Sequence, residues 1–295
     1  MRSSSAPIGV FDSGLGGLSV VHELWRELPR ESILYVADSA NCPYGERSMA
    51  FIRARSLAIC EALAARRVKA IVVACNTATA SALDLLRERI PLPIIGLEPA
   101  VKPATALTVT GKIAVLSTPV TAASPRLADL LGRYGAGLDI RSIGMPGLAD
   151  RVEAGEGDSD AVAEQLREVI VPLVTDGVDT IVLGCTHYPF LAAAVAALAG
   201  DAVRIVDSSN AVARRVRDVL ISAHDLAPAP RLGVFTLETS GDPAVVGAVA
   251  SRLLRTPIRA TGLALPAGSG ARRVGPQAID LLSNHADDVG SRQQG

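Results

Sequence analysis

The sequence predicts an α/β protein of two pseudo-symmetric, doubly wound domains with mainly parallel sheets and an active site in the cleft between them. Three observations predict it. Short apolar runs end repeatedly in Gly, Asn, Asp or Thr; segments of helical period lie between them; and the same order of motifs occurs twice. The runs fall at Ile8–Phe11, Ile33–Val36, Ala70–Ala74, Ile94–Gly96, Ile113–Leu116, Thr180–Leu183 and Val203–Val206. Runs this short and this continuously apolar are what strands buried on both faces look like.

The intervening helices follow from side-chain spacing. In the stretch 47–66, Ile52, Ile59, Cys60 and Leu63 share one face, and in 159–174 Val162, Leu166, Val169, Ile170 and Leu173 do the same. One half of the chain carries KAIVVACNTAT and the other DTIVLGCTHYP. Each is an apolar strand, then Cys, then a small polar residue, then a helix. We expect a first domain of residues 1–97 plus 208–265, a second of 98–207, and a mobile tail at 266–295 rich in Gly, Ser, Arg and Gln. The crossover lies near Leu97–Pro103 and the return near Asp207–Asn210.

Composition excludes several classes. The chain has 29 Lys plus Arg against 30 Asp plus Glu, so it lacks the basic footprint of a nucleic-acid binder. No apolar stretch is long enough for a membrane span or an export signal. The four cysteines, at 42, 60, 75 and 185, contain no C-x-x-C pair, which points to free thiols in a reducing cytoplasm. Only Cys185 and His187 are spaced as a metal-ligand pair, so no zinc site is expected. The three lysines, Lys69, Lys102 and Lys112, lie before strands or in the crossover. None is placed for a pyridoxal-phosphate Schiff base, and no cofactor is expected.

Ligands of open α/β sheets bind beyond the carboxyl ends of the strands. Cys75 and Cys185 both sit there, so facing domains set two thiols across one cleft. That layout suits racemisation, in which one group takes the α-proton and another delivers a proton to the opposite face. A free thiol is mostly protonated at neutral pH, so neighbours must tune it. Asp12 is the candidate partner of Cys75, His187 that of Cys185, and Glu153 a second acid on the Cys185 side. The loop Asp12–Gly17 offers backbone N–H groups to a substrate carboxylate. Asn76, Thr77, Thr118, Thr121 and Thr186 add neutral donors, and the turn Pro43–Tyr44–Gly45 adds backbone ones. Cys60 reads as core, Cys42 as a loop thiol beside the site without a catalytic role, and His22, His224 and His285 as surface residues.

The motifs VFDSGLGG, CPYG, VVACNTAT, STPVT and VLGCTHYPFL, in this order, resemble those of the bacterial glutamate racemases from about Ile8 to Leu265. The resemblance implies a racemase that uses neither pyridoxal phosphate nor metal and makes D-glutamate for peptidoglycan. It implies that Cys75 acts on the D-enantiomer and Cys185 on the L-enantiomer, assisted by Asp12, Glu153 and His187. Ser13, Tyr44, Gly45, Asn76, Thr77, Thr118, Thr121 and Thr186 then match substrate-holding positions, and a cytoplasmic homodimer is expected. An aspartate or hydantoin racemase, or a non-catalytic amino-acid-binding protein, is the alternative. Asn41 stands where the family commonly has Arg, so no salt bridge is expected from that position.

Overall fold

In the computed structural model, which describes residues 4–228 and 232–264, the apolar runs all become strands. β1 (Ile8–Asp12), α1 (Leu18–Glu27), β2 (Ile33–Ala37), α2 (Met49–Ala65), β3 (Ala70–Val73), α3 (Asn76–Arg89) and β4 (Ile94–Gly96) come first. After them come α4 (Val101–Leu107), β5 (Lys112–Ser117), α5 (Pro119–Ala122), α6 (Pro125–Tyr134), β6 (Asp139–Gly144), α7 (Leu148–Glu153), α8 (Asp160–Thr175), β7 (Thr180–Leu183), α9 (Ala192–Ala199) and β8 (Arg204–Val206). The described residues close with α10 (Ser209–Ser222), β9 (Phe235–Thr239), α11 (Pro243–Leu254) and β10 (Ala260–Gly262). The expected tail at 266–295 lies outside the described residues.

The strands form a six-stranded sheet in the order β10-β9-β2-β1-β3-β4 and a four-stranded one in the order β6-β5-β7-β8. Every pairing is parallel. The order β2-β1-β3-β4 recurs as β6-β5-β7-β8, which is the internal duplication seen in the motifs. As a result β3 and β7, the strands that precede Cys75 and Cys185, occupy equivalent places.

Both faces of each sheet are covered, as parallel sheets require. On the larger sheet, Leu18, Val21 and Leu24 of α1 pack with Val212, Val216 and Leu220 of α10 and with Val246 and Val249 of α11. Ile52, Ile59 and Leu63 of α2 cover its other face together with Leu83 and Leu86 of α3. The smaller sheet lies between α7, α8 and α9 on one side and α4 and α6 on the other. Each fully buried Ile or Leu contributes about 1.5–3 kcal/mol, so these layers hold the strand ends in fixed positions. The two crossover segments are tied where they pass, with Ser208 Oγ donating to the Glu98 carbonyl at 2.5 Å.

Three strands, β6, β9 and β10, were not expected. All lie at or next to a sheet edge and are partly solvated, so their sequences (DIRSIG, FTLET and ATG) lack the apolar runs of the central strands. No helix among the described residues is long and apolar enough to cross a membrane.

At the amino ends of the larger sheet's strands, away from the thiols, Lys69 and Glu31 form an ion pair at 2.5 Å with side chains 0% and 2% exposed. Lys69 Nζ also donates to the carbonyls of Ser4 and Asp225, both at 2.7 Å. Removing one partner of such a pair leaves an uncompensated buried charge. Lys69→Met is therefore expected to lose about 3–5 kcal/mol in urea unfolding, and Lys69→Met with Glu31→Leu to recover most of it. A loss below about 1 kcal/mol in the single variant, the range of an exposed pair, would contradict this.

Candidate active site

Cys75 closes β3 and caps α3, its Sγ accepting from Ala78 N at 3.4 Å. The Ser13 hydroxyl lies 3.6 Å from the same sulfur. Helix α3 runs for 14 residues, so its amino end favours negative charge on the sulfur. Burial opposes this and is the larger effect; with the nearby Asp12 carboxylate it pushes the Cys75 thiol well above its ordinary range. Cys75 therefore rests as a thiol.

Asp12 ends β1 and is fully buried. Its Oδ1 accepts from Ser13 N at 2.7 Å and its Oδ2 from Gly17 N at 2.6 Å. Burial raises the Asp12 carboxyl, against the lowering effects of His187, the Gly17 amide and the Cys75 thiol. The glycine loop thus wraps the carboxylate of its own first residue. Leu15 N donates to Glu153 Oε1, so a third N–H of the loop also goes to a protein carboxylate. The expected substrate-carboxylate host is, in this structure, largely occupied by the protein's own acids.

Cys185 follows β7, and its Sγ lies 3.7 Å from His187 Nδ1. The other ring nitrogen, Nε2, meets Glu153 Oε1 at 2.5 Å. Burial alone would keep the imidazole neutral, but its hydrogen bonds to Cys185 and Glu153 outweigh that and raise it well above the usual histidine range. Both ring nitrogens thus face groups that favour the protonated ring, Cys185 at Nδ1 and Glu153 at Nε2. The loop approaches this pair closely. A Cβ at Gly16 would stand 2.5 Å from both His187 Nδ1 and Thr186 Oγ1, and one at Gly14 would overlap the Glu153 carboxylate. Glycine is required there because backbone and side chains are in contact. Ser19 Oγ adds a link to the Thr186 carbonyl at 3.1 Å.

The neutral donors converge where the ends of β3 and β5 face each other. Thr77 Oγ1 lies 3.0 Å from Thr118 Oγ1 and 3.3 Å from Thr121 Oγ1, and the last two are 3.0 Å apart. Gly45 lies against Thr118, to which an added Cβ would come within 3.2 Å. Asn76 donates to the Leu97 carbonyl at 3.3 Å, while its buried Oδ1 has no partner among the described residues. Pro43 is half-buried in the same turn, joined to Cys42 by a cis peptide bond.

Tyr44 behaves differently. Its hydroxyl donates to Asp38 Oδ2 at 2.7 Å, and its carbonyl accepts from Arg47 N at 3.1 Å. Asp38 is a buried hub that sequence reasoning missed. It also accepts from Arg55 Nε at 2.9 Å and Nη2 at 2.5 Å, from Ser240 Oγ at 2.7 Å and from Asn41 Nδ2 at 3.0 Å. Asn41 thus supplies a neutral hydrogen bond, and Arg55 supplies the charge. A signal was present: Arg55 falls on the same face of α2 as Ile52 and Ile59, an odd place for a cation without a partner. Cys42 was expected beside the site and is, with its Sγ 2.9 Å from where a Gly14 Cβ would be. Cys60 is buried core, and His22 and His224 are exposed.

Residues 8–216 match the family model described as Asp/Glu/Hydantoin racemase. A glutamate racemase of Ectopseudomonas mendocina is 46% identical over 255 residues, covering 86% of this chain and 97% of its own. Among solved structures, a glutamate racemase isoform of Bacillus anthracis superposes with a TM-score of 0.82 at 35% identity, over 89% of this chain and 99% of its own. The Escherichia coli glutamate racemase, solved with L-glutamate and the activator UDP-MurNAc-Ala, gives 0.77 at 32% identity over 88% and 99%. By the extent of these matches, the chain belongs to the Asp/Glu/hydantoin racemase family.

Proposed function

We propose that this protein interconverts L- and D-glutamate with Cys75 and Cys185 as opposed acid and base, needing neither pyridoxal phosphate nor metal. The observation that carries the reading is the equivalence of the two thiols. Each ends the same strand of a repeated sheet, and each has its own proton partner. Glutamate as substrate rests on the relatives, which are named for it.

In the D-to-L direction Cys75 takes the α-proton and Cys185 returns one on the opposite face. Asp12 first accepts the Cys75 proton, so that a thiolate takes the α-proton, and the Ser13 hydroxyl and the amino end of α3 stabilise that thiolate. On the other side the His187–Glu153 pair feeds and receives the proton of Cys185. The α-proton is weakly acidic, so the developing charge needs a dry, prearranged site. The thiols are 4% and 5% exposed, which supplies it. Ser13, Thr77, Thr118, Thr121 and Thr186 hold the substrate carboxylates together with the backbone of Pro43, Tyr44 and Gly45. The unpartnered Oδ1 of Asn76 is suited to the ammonium.

The lysines support independence from pyridoxal phosphate. Lys69 is paired with Glu31, Lys102 lies over the Tyr134 ring, and Lys112 donates to the Asp176 carbonyl. By resemblance to the family, the product serves peptidoglycan synthesis, and the enzyme works as a cytoplasmic homodimer.

The first test is a circular-dichroism assay of the reduced protein with EDTA and no pyridoxal phosphate, on glutamate, aspartate and hydantoins. Glutamate is expected to turn over fastest; faster turnover of another substrate, or binding without loss of optical signal, would contradict the assignment. Cys75→Ser and Cys185→Ser are each expected to lower racemisation by about 10²–10⁴-fold, the range of a positioned acid or base. Cys185→Ser is expected still to eliminate a leaving group from a D-glutamate analogue, and Cys75→Ser from its L counterpart. Normal racemisation by either variant would rule out two bases.

The pH profile gives a further test. Because His187 acts as an imidazolium, activity falls as pH rises through its raised value. Glu153→Gln removes the carboxylate that helps to raise it, so the alkaline limb of kcat/KM should move down by about 1–3 pH units. An unmoved limb would show that His187 does not titrate in this role.

A further inference from the structure

The sequence offers no zinc spacing, yet the fold brings three ligand types together from distant positions. Cys42 lies between β2 and α2, Glu153 ends α7, and His187 follows β7. The Cys42 Sγ, a Glu153 carboxylate oxygen and a ring nitrogen of His187 all lie within 4.8 Å of one another. Around a tetrahedral zinc ion with bonds of about 2.0–2.3 Å, such atoms stand about 3.3–3.6 Å apart. Binding an ion would therefore draw the three donors closer together. Gly14 leaves the room for it, since a Cβ there would lie on Glu153 and on Cys42 Sγ.

We propose that Cys42, Glu153 and His187 form an inhibitory site for Zn2+ or a similarly thiophilic divalent cation. The donor set of thiolate, imidazole and carboxylate suits zinc, and three protein ligands leave the fourth position to water. Cys42 and Glu153 are only partly buried, which gives an ion its path in.

Inhibition follows from geometry and rests on the two-thiol reading. The metal takes His187 Nε2, the nitrogen now bonded to Glu153, so the ring can no longer act as the imidazolium that serves Cys185. Cys42 itself has no part in the proton path. Removing it should abolish metal control and leave racemisation in place.

The test uses the full chain, reduced and freed of metal. Co2+ is titrated while the thiolate-to-cobalt charge-transfer band is followed, Zn2+ binding is measured by calorimetry, and glutamate racemisation is assayed with and without Zn2+. The intact protein is expected to bind one ion per chain, show the band and lose activity on adding Zn2+, with EDTA restoring it. Cys42→Ser is expected to keep racemase activity, lose the band and bind Zn2+ about a hundredfold more weakly, since even outer partners of a metal site are worth about 10–100-fold. Absence of saturable binding would overturn the proposal. So would a band and inhibition that persist in Cys42→Ser, because the ion would then sit on Cys75 or Cys185. Cobalt binding is read without substrate, so a chain that binds metal through Cys42 but leaves glutamate unchanged would refute the racemase reading and keep the site.

Discussion

The carboxylate of Glu153 is the contact on which the rest of the site depends. One oxygen accepts from Leu15 N in the glycine loop of the larger sheet and from His187 Nε2 beside the smaller one. A single acid therefore joins the two halves and fixes the ring that faces Cys185. The loop reaches it because Gly14 and Gly16 have no side chains to stand in the way. The two layered sheets serve to bring this loop and this pair together.

The repeated fold sets two thiols in equivalent places, and the local chemistry then makes them unlike. Cys75 is a helix cap beside a buried carboxylate, in a setting where desolvation exceeds the helix-end effect of about 0.3–1 kcal/mol. Cys185 is followed by a short turn and by His187, not directly by a long helix, so its partner is a cation. A symmetric reaction, whose substrate and product are mirror images, is thus given asymmetric tools. Each thiol needs to work on only one face. The Ser208 to Glu98 hydrogen bond ties the two crossover segments to each other.

Legibility in the sequence followed burial. Central strands such as Ala70–Val73 and Thr180–Leu183 are covered on both faces, so their apolar runs show them directly. β6, β9 and β10 stayed hidden because a half-solvated edge strand carries polar residues. In the site, the matched cysteines were legible because each follows a strand end. The Asp38 hub was not: it joins Arg55, Tyr44 and Ser240, and Ser240 comes from the far end of the chain. The glycine loop was legible as an anion holder, but which anion it holds depends on Asp12 and Glu153 reaching it in three dimensions. The convergence of Cys42, Glu153 and His187 likewise leaves no trace in spacing.

The most direct test of two opposed monoprotic bases is the fate of deuterium. D-Glutamate is incubated with the reduced enzyme in D2O, and both enantiomers are recovered early and analysed for label at the α-carbon. The account predicts L-glutamate deuterated from the first turnovers, while the remaining D-glutamate keeps its proton, because Cys75 returns the proton it took and Cys185 delivers one from solvent. Deuterium entering the recovered D-glutamate as fast as it enters L-glutamate would show one base serving both faces and contradict the account.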